Sequence, residues 1–67
     1  MNWGRLIKDI REIQTLSQTE MAKVLDVSFA SVNRWENGHN SPTTSAKKKI
    51  KKIASQCDLS LNDYLEN

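Results

Sequence analysis

The sequence predicts an all-α fold, a compact bundle of five short helices forming one domain over residues 1–67. Three observations predict it. Apolar residues recur every three or four positions along nearly the whole chain, and no strand-like alternation persists. Side chains suited to opening a helix stand just ahead of the apolar runs. Short polar or turn-forming breaks separate the runs. At 67 residues the chain is near the lower size at which a domain folds without staples. Each helix is too short to persist alone, so stability has to come from a shared core.

Leu6, Ile7, Ile10 and Ile13 define one face of a first helix over 3–15. The stretch "SQTE" follows. Ser17 can accept from the amides of the next turn, and Glu20 can reach back to the N–H of Ser17. That capping box opens a second helix over 17–25, with Met21, Ala22 and Leu25 on its buried side. After a short break, Ser28 caps a third helix over 29–37, which stops at Gly38. Val32 and Trp35 lie three apart and seat this helix in the core, leaving Asn33 and Arg34 on the other side. "GHNSPTT" is a loop. Thr43 or Thr44 caps a fourth helix to residue 56, with Ala46, Ile50, Ile53, Ala54 and Cys57 inward. A fifth begins at Ser60, with Asp63 completing a second cap pair and Leu61, Tyr64 and Leu65 toward the core.

Composition excludes several classes of function. One cysteine, Cys57, allows no internal disulfide, and the single His39 has no ligand partners near it in sequence, so neither a metal nor another cofactor is expected. No apolar run is long enough for a membrane span, and the N-terminus lacks the apolar core of a signal peptide. A cytosolic protein with reduced Cys57 is expected. Cys57 and His39, the only nucleophile and base to consider, fall on different elements, which argues against an enzyme. Charge is uneven. Residues 1–33 cancel; residues 34–56 hold Arg34, Lys47, Lys48, Lys49, Lys51 and Lys52 against Glu36; residues 57–67 hold Asp58, Asp63 and Glu66. A basic middle and an acidic end suit a polyanion at one face. The plainer alternative is a solvated lysine face, the reading preferred for Lys49, Lys51 and Lys52.

Two helices joined by a turn of about three residues, the second with polar outward positions, follow the helix-turn-helix plan. The stretch "LSQTEMAKVLDVSFASVNRWENG", 16–38, resembles the Cro/repressor (XRE) type of helix-turn-helix family. The matching features are the polar Ser-Gln opening, small Ala22 where two helices nearly touch, β-branched Val32, and the ending Glu36-Asn37-Gly38. The flanking helices match as well. The resemblance implies a λ repressor-like DNA-binding domain, bacterial or phage-encoded and nucleoid-associated. It also places Arg11 opposite Glu36, implying a partly buried ion pair; the alternative is two ordinary surface charges. The chain departs from the family at the turn, where Asp26 replaces the usual Gly, and at 29–31, where Phe29-Ala30-Ser31 stands for the frequent base-reading Gln or Arg.

On this resemblance the third helix enters the major groove of double-stranded DNA. Phe29 and Ala30 can contact a thymine methyl; Phe29 can equally fold back near Gln18 or Thr19 as packing. Ser28 caps this helix, and Ser31 can bond to bases or phosphate. Arg34 can pair with guanine O6 and N7 or with a phosphate. Asn33 is a weaker candidate for either. Phosphate contacts are expected from Ser17 and Gln18 at the start of the second helix, from Asn37, Asn40, Ser41 and Thr43 around the loop, and from Lys47 or Lys48. His39 is an exposed loop histidine or an additional phosphate contact.

The function expected is sequence-specific DNA binding, with a small Cro-like transcriptional regulator occupying an operator. A homodimer, at least on DNA, would read a palindromic operator with half-sites about one turn apart. The link around Cys57 to Leu61 is the candidate dimer surface, unless Leu59 simply closes the core. The alternative function is a protein-interaction module, such as an antitoxin or an accessory subunit. An extended apolar tail would favour it, and the sequence shows almost none.

Overall fold

Helix starts in this chain are set by short oxygen-bearing side chains, and the computed structural model, which describes residues 1–65, shows each in place. The four helices are α1 (Trp3–Ile13), α2 (Gln18–Leu25), α3 (Phe29–Glu36) and α4 (Thr44–Gln56). Asn2, Ser17, Ser28 and Thr43 each accept a hydrogen bond from a backbone N–H three residues on. Such caps contribute about 1 kcal/mol each. At Ser17 the bond is reciprocated: its N–H donates to Glu20 Oε1 at 2.9 Å. That bond holds the Glu20 carboxyl below its usual pKa.

The helix ends are equally uniform. Thr15, Asp26, Gly38 and Asp58 follow the four helices at positive φ, between 57° and 78°. In each case that residue's N–H bonds to a carbonyl three residues back, and the next N–H to one five back. This double closure satisfies the last free carbonyls of the helix. Only one of the four residues is glycine. Asp26 thus takes the left-handed conformation that the turn demands. Thr15 takes it too, which ends α1 at Ile13, two residues short of the 3–15 span expected from periodicity.

The core is made by Leu6, Ile7 and Ile10 of α1, Met21, Ala22 and Leu25 of α2, Val32 and Trp35 of α3, Ala46, Ile50 and Ala54 of α4, and Tyr64. The larger of these side chains each contribute roughly 1.5–3 kcal/mol by leaving water. Ile13 extends the apolar face of α1 but is 53% exposed, beyond the reach of the core.

The C-terminal region departs from the five-helix expectation. Residues Leu61–Tyr64 form a single 3-10 turn, so the described residues hold four α-helices and a turn. Ser60 makes no side-chain cap bond; the Asp63 N–H reaches its backbone carbonyl instead. Tyr64 is buried, whereas Leu65, expected to face the core, is 60% exposed. Tyr64 ties the turn to α1 in three ways. Its carbonyl accepts the Asn2 N–H, its hydroxyl donates to Asp9, and Arg5 lies over its ring at 5.5 Å. The bond to Asp9 pushes the Tyr64 pKa up to about 12. No helix among the described residues is long and apolar enough to cross a membrane.

Candidate functional site

The placement of α3 decides what the surface offers. Val32 and Trp35 are buried on one side of it. On the opposite side Phe29, Ala30, Arg34 and Asn37 are exposed. Phe29 is 51% exposed at the first turn, outside the set of side chains that form or pack against the core.

Two features of α1 hold α3 in this attitude. The first is close approach of backbone. A Cβ built on Gly4 would lie 2.4 Å from the Trp35 carbonyl oxygen and 3.1 Å from that of Glu36. Only glycine lets α1 cross α3 this closely. The second is an ion pair. Arg11 Nε donates to Glu36 Oε2 at 2.8 Å and its Nη2 to Oε1 at 3.0 Å, while Nη1 donates to the Leu16 carbonyl at 3.1 Å. The two side chains are 18% and 5% exposed. The bidentate bond to Glu36 raises the Arg11 pKa further, against the opposing effect of burial.

The pair continues into a row of carboxamides. Gln18 Nε2 donates to Glu36 Oε1, Asn33 Nδ2 donates to Gln18 Oε1, and Asn37 Nδ2 donates to Asn33 Oδ1, each at 3.2 Å. Three expected DNA contacts, Gln18, Asn33 and Asn37, are thereby brought together at the joint of α2 and α3. Ser28 and Ser31 are also brought together: their hydroxyls share a hydrogen bond at 2.9 Å, and Ser28 Oγ caps α3.

The remaining residues expected at the site fall at the start of α2 and around α4. Ser17 Oγ and Thr43 Oγ1 both serve as caps. Asn40 and Ser41 are exposed in the connection after α3, and so is His39. Lys47 is half-buried, with its ammonium 5.4 Å from the centre of the Trp3 ring; Lys51 sits 5.9 Å from the same ring. Lys49 donates to the Leu25 carbonyl at 3.3 Å, supporting the end of α2. Lys49 is therefore an engaged side chain and not part of the free solvated face expected of it; Lys48, Lys51 and Lys52 are exposed, Lys51 with its ammonium beside Trp3.

The carboxamide row and the Gly4 crossing were missed in the sequence. A small residue early in an apolar-periodic helix is the only local signal for the crossing. A cleft of about 210 Å³ opens beside it, lined by Trp3, Trp35, His39 and Asn40 among others. It is smaller than the roughly 300–1,000 Å³ of ordinary small-molecule sites. Among the described residues there is no group of three or more His, Cys, Asp or Glu placed to hold a metal ion. Cys57, expected inward, is half-buried and receives a long 3.7 Å contact from Gln14 Nε2.

Comparison with known proteins fits this geometry. A family model described as helix-turn-helix matches residues 7–64. The chain is similar to the "ImmF control region 10 kDa protein" of Bacillus phage phi105, at 44% identity over 59 residues. The match covers 88% of this chain and 62% of that protein, so the chain corresponds to less than two thirds of its relative's length. No solved structure gives a significant match. With α2 and α3 forming the paired unit and the match running through nearly every element, the chain belongs to the XRE-type helix-turn-helix family of DNA-binding regulators.

Proposed function

We propose that this protein binds double-stranded DNA in a sequence-specific manner and acts as a small Cro-like transcriptional regulator that occupies an operator. One observation carries the proposal. α3 is seated by Val32 and Trp35, and the side turned away from them presents Phe29, Ala30 and Arg34 to solvent. A short helix held this way can lie in a major groove.

The division of labour follows from chemistry. Phe29 and Ala30 contact a thymine methyl, and Arg34 pairs with guanine or a phosphate. Ser31 adds a weakly selective hydrogen bond. Ser17 and Gln18 at the start of α2, with Asn37, Asn40, Thr43 and Lys47 around the connection to α4, hold phosphates. Ser28 sets the start of α3, and Asn33 supports Gln18. The net positive charge of residues 34–56 supplies the long-range attraction. The protein works as a homodimer on a palindromic operator, joined around Cys57 to Leu61. Leu59 and Leu61 pack against the core there but stay partly exposed. The phage relative is named for a control region, which supports a regulatory role.

Selection of bound sites from a random duplex pool tests this directly. The expected result is one enriched motif with two-fold symmetry, and affinity that falls steeply as salt rises. A pool without enrichment, together with affinity indifferent to salt, would remove the proposal.

A further inference from the structure

A carboxylate can only accept hydrogen bonds, whereas a primary carboxamide both donates and accepts. That asymmetry gives the row Glu36, Gln18, Asn33, Asn37 a direction. Glu36 Oε1 already accepts from Arg11, so the Gln18 group that meets it has to be the amide nitrogen. Gln18 then offers its carbonyl to Asn33, which in turn has to present nitrogen. Asn33 offers its carbonyl to Asn37 by the same logic. Turning any one carboxamide over would set oxygen against oxygen or N–H against N–H.

Each carboxamide uses one N–H inside the row and retains a second. The Gln18 and Asn33 carbonyls each keep one lone pair, and the Asn37 carbonyl, at the exposed end, keeps both. The structure assigns Glu36 a role beyond its ion pair: we propose that it is a positioning residue that fixes which way three carboxamides face, and so where each carries its second N–H toward DNA. The fixed N–H groups then meet acceptor atoms on the duplex, either phosphate oxygens or purine N7 and O6. This rests on the DNA-binding function proposed above.

The test separates the row from the function. In the free wild-type protein, side-chain 1H–15N NMR should show one protected proton on each of the Gln18, Asn33 and Asn37 carboxamides. Glu36→Gln replaces the acceptor-only head with a group of either polarity. Protection at Gln18 and Asn33 should fall, or their signals should double. Unchanged carboxamide signals in a folded Glu36→Gln protein would overturn the proposal. Should that variant fail to fold, Asn37→Asp decides at the exposed end. It places acceptors at both ends of the row, so one link has to break and the Asn33 signals have to move. Asn33 signals that stay put would again overturn it.

Duplex titration gives the second readout. Folded Glu36→Gln should bind about tenfold more weakly than wild type, equivalent to ~1.4 kcal/mol. A loss uniform across sequences assigns the donors to phosphate oxygens; a loss confined to one motif assigns them to purine acceptors. Wild-type protein that binds no duplex would defeat the DNA-binding function, even with the row intact by NMR. Wild type and Glu36→Gln binding equally well would defeat the positioning role alone.

Discussion

The inward and outward sides of α3 are built on opposite plans. Inward, every contact is constrained by something several residues away: Val32 and Trp35 by the core, the Trp35 and Glu36 carbonyls by Gly4, the Glu36 carboxylate by Arg11 and Gln18. Outward, Phe29, Ala30 and Arg34 are exposed, and what they touch is left to a partner. The lesson is a separation of tasks along eight residues. Changes on the inner side should cost folding, and changes on the outer side should cost recognition.

The strongest way to break this separation is at the ion pair. Arg11→Ala strands a carboxylate that is 5% exposed and also leaves the Leu16 carbonyl without its partner. A destabilisation of ~3 kcal/mol is expected in urea unfolding. A loss under 1 kcal/mol would mean that the pair behaves as a surface contact. For a chain of this size, with total stability of roughly 3–10 kcal/mol, the expected loss is a large share. Gly4→Ala comes next. Its methyl meets backbone oxygen, which cannot swing aside, so about 2 kcal/mol is expected from the shift of α1. Unchanged stability would show that the crossing has slack.

A pH series compares this seat with the tether at the C-terminal turn. Tyr64 has its pKa raised to about 12 by Asp9, above the value near 10 of an unfolded tyrosine. Its contribution is therefore complete below pH ~10 and is lost as pH climbs toward the folded value. Tyr64→Phe should flatten that part of the stability curve relative to wild type. Parallel curves for the two proteins would show that the Asp9 bond carries no linkage. The smallest effect on folding belongs to the outer side. Arg34→Ala should leave stability within ~0.5 kcal/mol. DNA affinity should meanwhile fall by ~1–3 kcal/mol, selectively if Arg34 reads a base. A fall in melting temperature comparable to that of Arg11→Ala would erase the distinction between the two sides.

The starts of α2, α3 and α4 were legible because a cap bond spans three residues, and the evidence for it lies within those three; the Asn2 cap of α1 was not read, and the cap expected at Ser60 does not form. The seat of α3 was legible because Val32 and Trp35 fall on one side at helical spacing. The resemblance, rather than any spacing, set Arg11 opposite Glu36. The rest depended on geometry that no local pattern encodes. Periodicity tells which side of α1 is apolar but not that Ile13 overshoots the core. Thr15 gives no hint of the left-handed conformation, because a β-branched residue ordinarily avoids it. Leu65 is apolar and at helical spacing, yet it falls just past the 3-10 turn, where the backbone is already extended. Among the residues expected at the interface, the engagement of Gln18 with Asn33 joins positions 15 apart, and polar surface residues carry no periodic mark of such pairing. Lys49 and Lys51 looked alike in a lysine-rich run, but their helical positions direct one to Leu25 and the other to Trp3.

The two indoles occupy unlike surroundings. Trp35 is buried in the core, with one part lining the cleft, whereas half-buried Trp3 sits beneath the ammonium groups of Lys47 and Lys51. Anything anionic that draws those lysines away alters first the electric field on Trp3, the chromophore that they touch. The protein thus carries an internal optical probe of occupancy, read from its own fluorescence without a label.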